Sequence, residues 1–331
     1  MTSGTAFARA GLLGNPADGY FERIIACSVR NFSARVTLEP SERLVFEPGD
    51  ADCDVFGGLG EFLGQVELYG YYGGLRLVKA ALHNFLAYVR GRNLRIPERN
   101  FTLRYASDIP RQVGLAGSSA IITAALRAFM SFYGVEIPLD VQPSLILGAE
   151  RDELDINAGF MDRVVQAYEG CMYMDLDERL IRETGKGRYE RLDPALLPPL
   201  YLAYKLSLGK VSGRVLNEIR VKYDRGDPFT RATLHQLGDL AERGRRALLA
   251  GDKHRFSALM DENFELRRSI QTISAGNLEL IEAARACGAP AKFAGSGGSI
   301  IGSYDGEEMF GRVRTALEAL GAVVVKPIIC Y

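Results

Sequence analysis

This chain is poor in metal-ligating side chains. It has three histidines (His83, His235, His254), none spaced to share a metal, and five scattered cysteines (Cys27, Cys53, Cys171, Cys287, Cys330). No Cys-x-x-Cys occurs among them, which argues against a zinc site. The odd, dispersed cysteine set gives no disulfide framework, so each cysteine reads as a small core hydrophobe and the expected setting is a reducing cytoplasm. An excess charge of either sign is also missing: 40 Lys and Arg face 41 Asp and Glu, a net charge of −1. No global field exists to draw in nucleic acid or an anionic membrane, and neither partner is expected. No apolar run approaches the ~18 residues that span a bilayer. The opening Met1-Thr-Ser-Gly-Thr-Ala6 lacks a basic stretch followed by an apolar one, so no secretory signal is expected. There is no internal repeat and no low-complexity segment. A dinucleotide-binding dehydrogenase would need Gly-x-Gly-x-x-Gly after a first strand, with an acidic residue about 20 positions on, and no such arrangement is found.

What remains is an ordinary globular composition. With 331 residues, 47% apolar and 24% charged, the chain is long enough for one large core or two. Its most informative stretch is Pro110-Arg-Gln-Val-Gly114-Leu-Ala-Gly117-Ser118-Ser119-Ala120. A strongly helical run follows, in which Ile121, Ile122, Ala125, Leu126 and Phe129 mark one apolar face. Glycines let backbone N–H groups approach an anion, and a helix N-terminus adds partial positive charge. Nearby hydroxyls can hold phosphate or Mg²⁺. The segment reads as a phosphate-cradling loop, though not of the Gly-x4-Gly-Lys-Ser/Thr type; the alternative is a glycine turn with a serine N-cap.

Two further glycine-rich segments flank it, Ala8-Arg9-Ala10-Gly11-Leu12-Leu13-Gly14-Asn15-Pro16-Ala17-Asp18-Gly19 and Lys292-Phe-Ala-Gly295-Ser296-Gly297-Gly298-Ser299. Two carboxylates add to them. Glu150 lies on an expected helix and Asp162 twelve residues later, after a glycine-bearing loop. Such a pair suits phosphoryl transfer, one ligating Mg²⁺ and the other accepting a proton from the attacking hydroxyl. Read singly, Glu150 could equally be a solvated helix charge and Asp162 a strand-end cap.

The remaining pattern places two or three strands in residues 22–46, a helix from Leu75, a strand at 101–105, and a helix from Ser118 to near Gly134. A helix from Pro143 carries Glu150, and 159–175 reads as loop then strand. The charged, proline-containing stretch 177–199 is the expected domain boundary. Beyond it come a strand at 200–206 and helices at 230–249, 253–270 and 277–287. A strand and turn at 293–301, a helix at 307–320 and a strand at 323–329 complete the chain. The expectation is an α+β protein of two layered domains, 1–190 and 191–331.

In this order and spacing, the three glycine segments resemble the motifs of the GHMP kinase superfamily, and the resemblance covers nearly the whole chain. It is carried by Ala10-Gly-Leu-Leu-Gly-Asn-Pro16, Gly70-Tyr-Tyr-Gly-Gly74, Asn100-Phe-Thr102, Ile109-Pro-Arg-Gln112, Asp162-Arg-Val-Val-Gln-Ala-Tyr168 and Lys292-Phe-Ala-Gly-Ser-Gly-Gly298. It implies an N-terminal mixed α/β domain that binds ATP and a C-terminal ferredoxin-like α+β domain. Within the superfamily the chain most resembles sugar-1-kinases that act on uronic acids. That implies phosphorylation of the anomeric hydroxyl of a sugar acid, D-glucuronate first, by a monomer or homodimer. The alternatives are a neutral sugar, a heptose or a mevalonate-like acid as substrate, or a non-catalytic sugar or nucleotide sensor on the same fold.

Carried over residue by residue, the resemblance implies that Gly114, Leu115, Ala116, Gly117, Ser118, Ser119 and Ala120 wrap the triphosphate, with Gly295, Ser296 and Gly297 supporting it. Ser119 or Ser118, with Glu150, would meet Mg²⁺. Asp162 would act on the attacking hydroxyl, with Arg9 as the fixed cation beside it. Asp18 would bind sugar hydroxyls. Where the family usually reads Pro-Gly-Lys/Arg and then Gly-Glu-His, this chain has Phe7-Ala8-Arg9 and then Gly14-Asn15-Pro16. A glutamate that touches sugar in some members is therefore absent, which fits a different, acidic sugar. The cations considered for its carboxylate are Lys210, favoured because it sits in a glycine loop after a strand, then Arg163 and Arg111. Tyr71 and Tyr72 would border adenine or pack in the core.

Overall fold

The computed structural model describes residues 1–49, 52, 58–60, 63–64, 73–209 and 212–330, the side chains of 212–216 excepted. Lys210, Tyr71 and Tyr72 lie outside the described residues.

The chain opens with strand β1 (Thr2–Leu13), which takes in the first part of the glycine-rich segment 8–19 and was not among the expected strands. Its alanines explain both facts. Ala6, Ala8 and Ala10 are fully buried and small enough for a helix to lie close against the strand. β1 runs antiparallel to the 18-residue β2 (Ile24–Ser41), where several shorter strands were expected. β2 is the axis of the first sheet. Its other edge pairs with β4 (Asn100–Ser107) through residues 34–41 and with β5 (Cys171–Asp175) through residues 24–27. The short β3 (Val45–Phe46) joins β4 in parallel, and β6 (Arg188–Leu192) closes the far side against β5.

Helix α1 (Leu75–Gly91) packs on α2 (Gly117–Tyr133), which lies against β1 and β2. The apolar stripe expected on α2 is buried, Ile121, Ile122, Ala125, Leu126 and Phe129 included, and Gly134 closes the helix with φ +68°. α3 (Gln142–Arg151) and α4 (Met161–Tyr168) follow. Of the loop and strand expected over 159–175, the strand is β5, while α4 stands where the loop was expected. It is only eight residues long, and polar Arg163 and Gln166 are buried in it together with Val164, Val165 and Ala167.

After α5 (Glu178–Thr184) the second sheet is built from β7 (Leu200–Tyr204), β8 (Lys292–Phe293), β9 (Ser299–Ser303) and β10 (Val323–Val325). The spatial order is β10-β7-β9-β8, all antiparallel. Counted within this half that is fourth, first, third, second, the ferredoxin-like order. α6 (Ser212–Asp224), α7 (Pro228–Leu249), α8 (Lys253–Ile270), α9 (Ala275–Ala286) and α10 (Gly306–Ala319) complete the described helices. A smaller core under this sheet joins Tyr201, Phe264, Leu280, Ile300 and Leu317. The larger core crosses between the halves: Leu237, Leu248 and Phe256 share it with Leu13 and Ile25. Among the described residues no helix is long and apolar enough to cross a membrane.

Candidate active site

β1 has one edge paired with β2 and one edge open, and the open edge assembles the site. Arg9 N–H donates to the Leu115 carbonyl at 3.3 Å, and Gly11 N–H to the Ala294 carbonyl at 2.7 Å. Two glycine loops some 180 residues apart in sequence therefore dock side by side on the first one. Their contact needs glycine. Gly114 has φ +76°, and a Cβ there would lie 2.7 Å from Ser296 N. A Cβ on Gly295 would overlap the Gly114 carbonyl and stand 2.9 Å from Arg9 Nη1.

Arg9, only 5% exposed, holds this junction. Its Nη1 donates to the carbonyls of Gly114 (2.7 Å) and Ala294 (3.2 Å), and its Nε to Asp162 Oδ1 at 2.5 Å. Asp162 lies in the first turn of α4, where the helix dipole favours a negative charge. Arg163 Nη1 stands 3.3 Å from its second oxygen. Burial alone would raise the Asp162 pKa, but the charges of Arg9 and Arg163, with hydrogen bonds from Arg9 and Ser119, hold it below the ordinary aspartate value. Arg163 also binds Glu150 through Nη2 and the Gly159 carbonyl through Nη1, at 2.9 Å. Glu150 is 2% exposed, and burial raises its pKa against the pull of Arg163. It is thus a buried partner of a guanidinium rather than a solvated helix charge. Asp162 is not a strand-end cap either, since it starts a helix.

Asp18 approaches from the first motif. It is partly buried, and its Oδ2 accepts the Met161 N–H at 3.3 Å. Burial, and then the charge of Asp162, push its pKa up to about 6. A Cβ on Gly159 would overlap Asp18 Oδ2, so the loop before α4 must be glycine there. Behind α2, Ala116 occupies the N-cap in the left-handed region (φ 63°) with no side-chain cap. No serine caps this helix. Its first-turn amides, which no helix carbonyl can accept, lie on the loop side. Ser119 is buried, 1% exposed, and hydrogen-bonded to Asp162.

These groups border one cavity of about 690 Å³, a suitable size for a small-molecule site. Arg9, Asp18, Gly114 to Ser119, Glu150, Asp162, Gly295 and Ser296 all line it. Ala120 and Gly297 are not on its wall. Of the cations considered for a substrate carboxylate, Arg163 is committed to Glu150 and Asp162, Arg111 borders the cavity, and Lys210 lies outside the described residues.

Two supports escaped the sequence reading. Lys292, 1% exposed, donates to the Gly11 carbonyl (2.8 Å), Asn15 Oδ1 (2.5 Å) and its neighbour's carbonyl at Phe293 (2.8 Å). Burial, then the charges of Arg267 and Arg9, push its pKa well below the usual lysine range. Arg267 donates to the carbonyls of Gly295 (2.6 Å) and Ser296 (3.2 Å) and lies 4.9 Å over the Phe293 ring. A signal for it exists in the sequence. Phe256, Leu259, Met260, Phe264 and Arg267 share one face of α8, and an arginine on an apolar stripe calls for a buried acceptor.

Against known proteins, residues 76–170 match the GHMP kinases N terminal domain family. Glucuronokinase 1 of Arabidopsis thaliana is 42% identical over 302 residues, covering 89% of this chain and 83% of that protein. The chain belongs to the glucuronokinase family of GHMP kinases. Probable glucuronokinase 2 of the same plant is 43% identical over 303 residues, 89% of this chain and 82% of that one. The fold agrees: the Lactococcus lactis galactokinase solved with galactose superimposes at a TM-score of 0.77, with 15% identity, over 99% of this chain and 93% of that one. The protein is therefore a phosphotransferase with an alcohol group as acceptor.

Proposed function

We propose that this kinase transfers the γ-phosphoryl group of ATP to the anomeric hydroxyl of D-glucuronate, giving glucuronate 1-phosphate and ADP. The 42% identity to a glucuronokinase across 89% of the chain supports the substrate. The Arg9–Asp162 pair on the cavity wall supports the chemistry.

Asp162 accepts a hydrogen bond from the attacking hydroxyl and aims it at the γ-phosphorus. Its pKa is held low, so it is a weak base. It orients the hydroxyl first and takes the proton late, as a loose phosphoryl-transfer transition state allows. Arg9 is fixed by two carbonyls and Asp162, so its charge is already placed where negative charge gathers on the transferring group. The amides of 114–120 and the loop 295–297 hold the phosphates. Asp18 accepts from the sugar hydroxyls.

The donor set also fits Mg²⁺. Among the described residues no group of three or more His, Cys, Asp or Glu could hold a metal by itself. Glu150 and Ser119 nevertheless present two hard oxygen donors at the cavity, the number Mg²⁺ takes from protein when phosphates and waters complete its shell. When bound, Mg²⁺ neutralises charge on the β- and γ-phosphates. Glu150 would share its carboxylate between that ion and Arg163.

The test is the position of the phosphoryl group. Proton-coupled phosphorus NMR of the product of glucuronate and Mg-ATP should show coupling to the anomeric proton. Three-bond coupling to any other ring proton would refute anomeric transfer.

A further inference from the structure

Besides Arg9, Arg76, Arg111 and Arg163, a further guanidinium reaches the cavity wall. Arg220, on α6, lines it beside Gly19 and Tyr20. Its Nη2 donates to the Gly19 carbonyl at 2.9 Å. Its guanidinium lies 4.4 Å over the Tyr20 ring and 6.0 Å from that of Tyr223, and the two rings pack at 4.7 Å. A Cβ on residue 19 would sit 3.4 Å from Nη2, so a glycine there keeps the approach open. Among the described residues the carboxylate paired with it is Asp224, at a long 3.8 Å from Nη1.

This arrangement differs from those of Arg9 and Arg163. Each of them donates to a carboxylate of its own chain within hydrogen-bond distance. Arg220 is instead positioned by a carbonyl and two aromatic faces, which orient a guanidinium without neutralising it. Its neighbours give direction along the cavity. Asp162 follows Met161, whose amide binds Asp18; Gly19 follows Asp18 and binds Arg220. A sugar with its anomeric hydroxyl at Asp162 and ring hydroxyls at Asp18 turns its far end toward Arg220.

We propose that Arg220 receives the carboxylate of a sugar-acid substrate and makes this site select acidic over neutral sugars. The proposal rests on the uronate reading above. A planar guanidinium can meet a carboxylate with two parallel hydrogen bonds, and the rings of Tyr20 and Tyr223 reduce the freedom lost on binding.

The test compares wild type with Arg220→Gln and Arg220→Lys, reading KM for D-glucuronate and for ATP, with melting curves to check folding. Arg220→Gln should raise KM for glucuronate about 100-fold while KM for ATP stays within about threefold. Arg220→Lys keeps the charge but loses the fork, and should raise it about tenfold. If Arg220→Gln does not fold, the lysine variant decides. An unchanged KM for glucuronate in a folded variant overturns the assignment and leaves the kinase reading standing. A wild-type enzyme that phosphorylates D-glucose and not D-glucuronate, a result obtained before any variant is made, overturns both.

Discussion

Asp162→Asn should separate chemistry from binding. The replacement keeps the shape and one oxygen for Arg9, 2.5 Å away, but removes the charge that faces Arg9 and Arg163. A group oriented for proton transfer contributes roughly 10²–10⁴ in rate, so kcat should fall about 1,000-fold. Affinity for the sugar rests on other contacts and should change by less than about fivefold, as read by titration calorimetry in the presence of ADP. Stability should fall as well. Removing one member of a buried pair costs about 3–5 kcal/mol, but Arg9 keeps the carbonyls of Gly114 and Ala294, so a loss of about 2 kcal/mol is expected. The sign with pH follows from the lowered Asp162 pKa. Its stabilisation is present above the pKa of an unfolded aspartate and lost as pH falls through the lower folded value. The stability gap between wild type and variant, from urea unfolding, should therefore shrink in acid. A further consequence falls on Asp18. The charge of Asp162 is the second cause that raises it, so the Asp18 pKa should drop below about 6 in the variant, measurable by carboxyl-carbon NMR. A folded Asp162→Asn enzyme with more than a tenth of wild-type kcat would refute this placement of the reacting hydroxyl.

Other predictions follow from single contacts. Gly159→Ala puts a methyl where Asp18 Oδ2 sits, and should raise the sugar KM about tenfold or more while the ATP KM holds. Gly295→Ala presses on the Gly114 carbonyl and on Arg9, and should raise the ATP KM instead. Asp18, raised from 3.8 to about 6, is most favourable to the fold below pH 4, and that contribution is lost as pH rises through 6. Asp18→Asn should therefore stabilise the protein at pH 8 by about 2–3 kcal/mol in urea unfolding, with sugar affinity reduced. Lys292→Ala takes a donor from the Gly11 carbonyl and from Asn15 Oδ1, while the Phe293 carbonyl keeps the Asn15 amide, and should cost about 2–4 kcal/mol in the same assay.

Much of the fold was legible in the sequence because its elements are long and one-sided. α2, α7 and α8 each carry an apolar stripe over four turns or more, and each lies where periodicity puts it. β1 was not legible. Alanines and glycines chosen for close packing carry no strand signature, so the strand holding Arg9 shows in the sequence only as a glycine-rich segment. α4 is eight residues long and buries Arg163 and Gln166, polar residues that a sequence places on the solvent side. The loops that meet at the site were visible as glycine-rich segments, and the cavity does gather Arg9, Asp18, Ser119, Glu150 and Asp162. How they meet was not visible. Hydrogen bonds such as Gly11 to Ala294 join residues 283 apart in the numbering, and no local pattern encodes such a pairing. The guanidinium links of Arg163, Arg267 and Arg220 are likewise set by tertiary placement.

One measurement bears most directly on the central claim, that this site phosphorylates a sugar acid. ADP release by the purified protein would be followed with Mg-ATP and D-glucuronate, D-galacturonate, D-glucose, D-galactose, a heptose or mevalonate in turn. The structure and the kinship predict turnover with D-glucuronate at a kcat/KM at least 100-fold above any neutral sugar. Preferred turnover of a neutral sugar, or none with glucuronate while ATP binds, would contradict it.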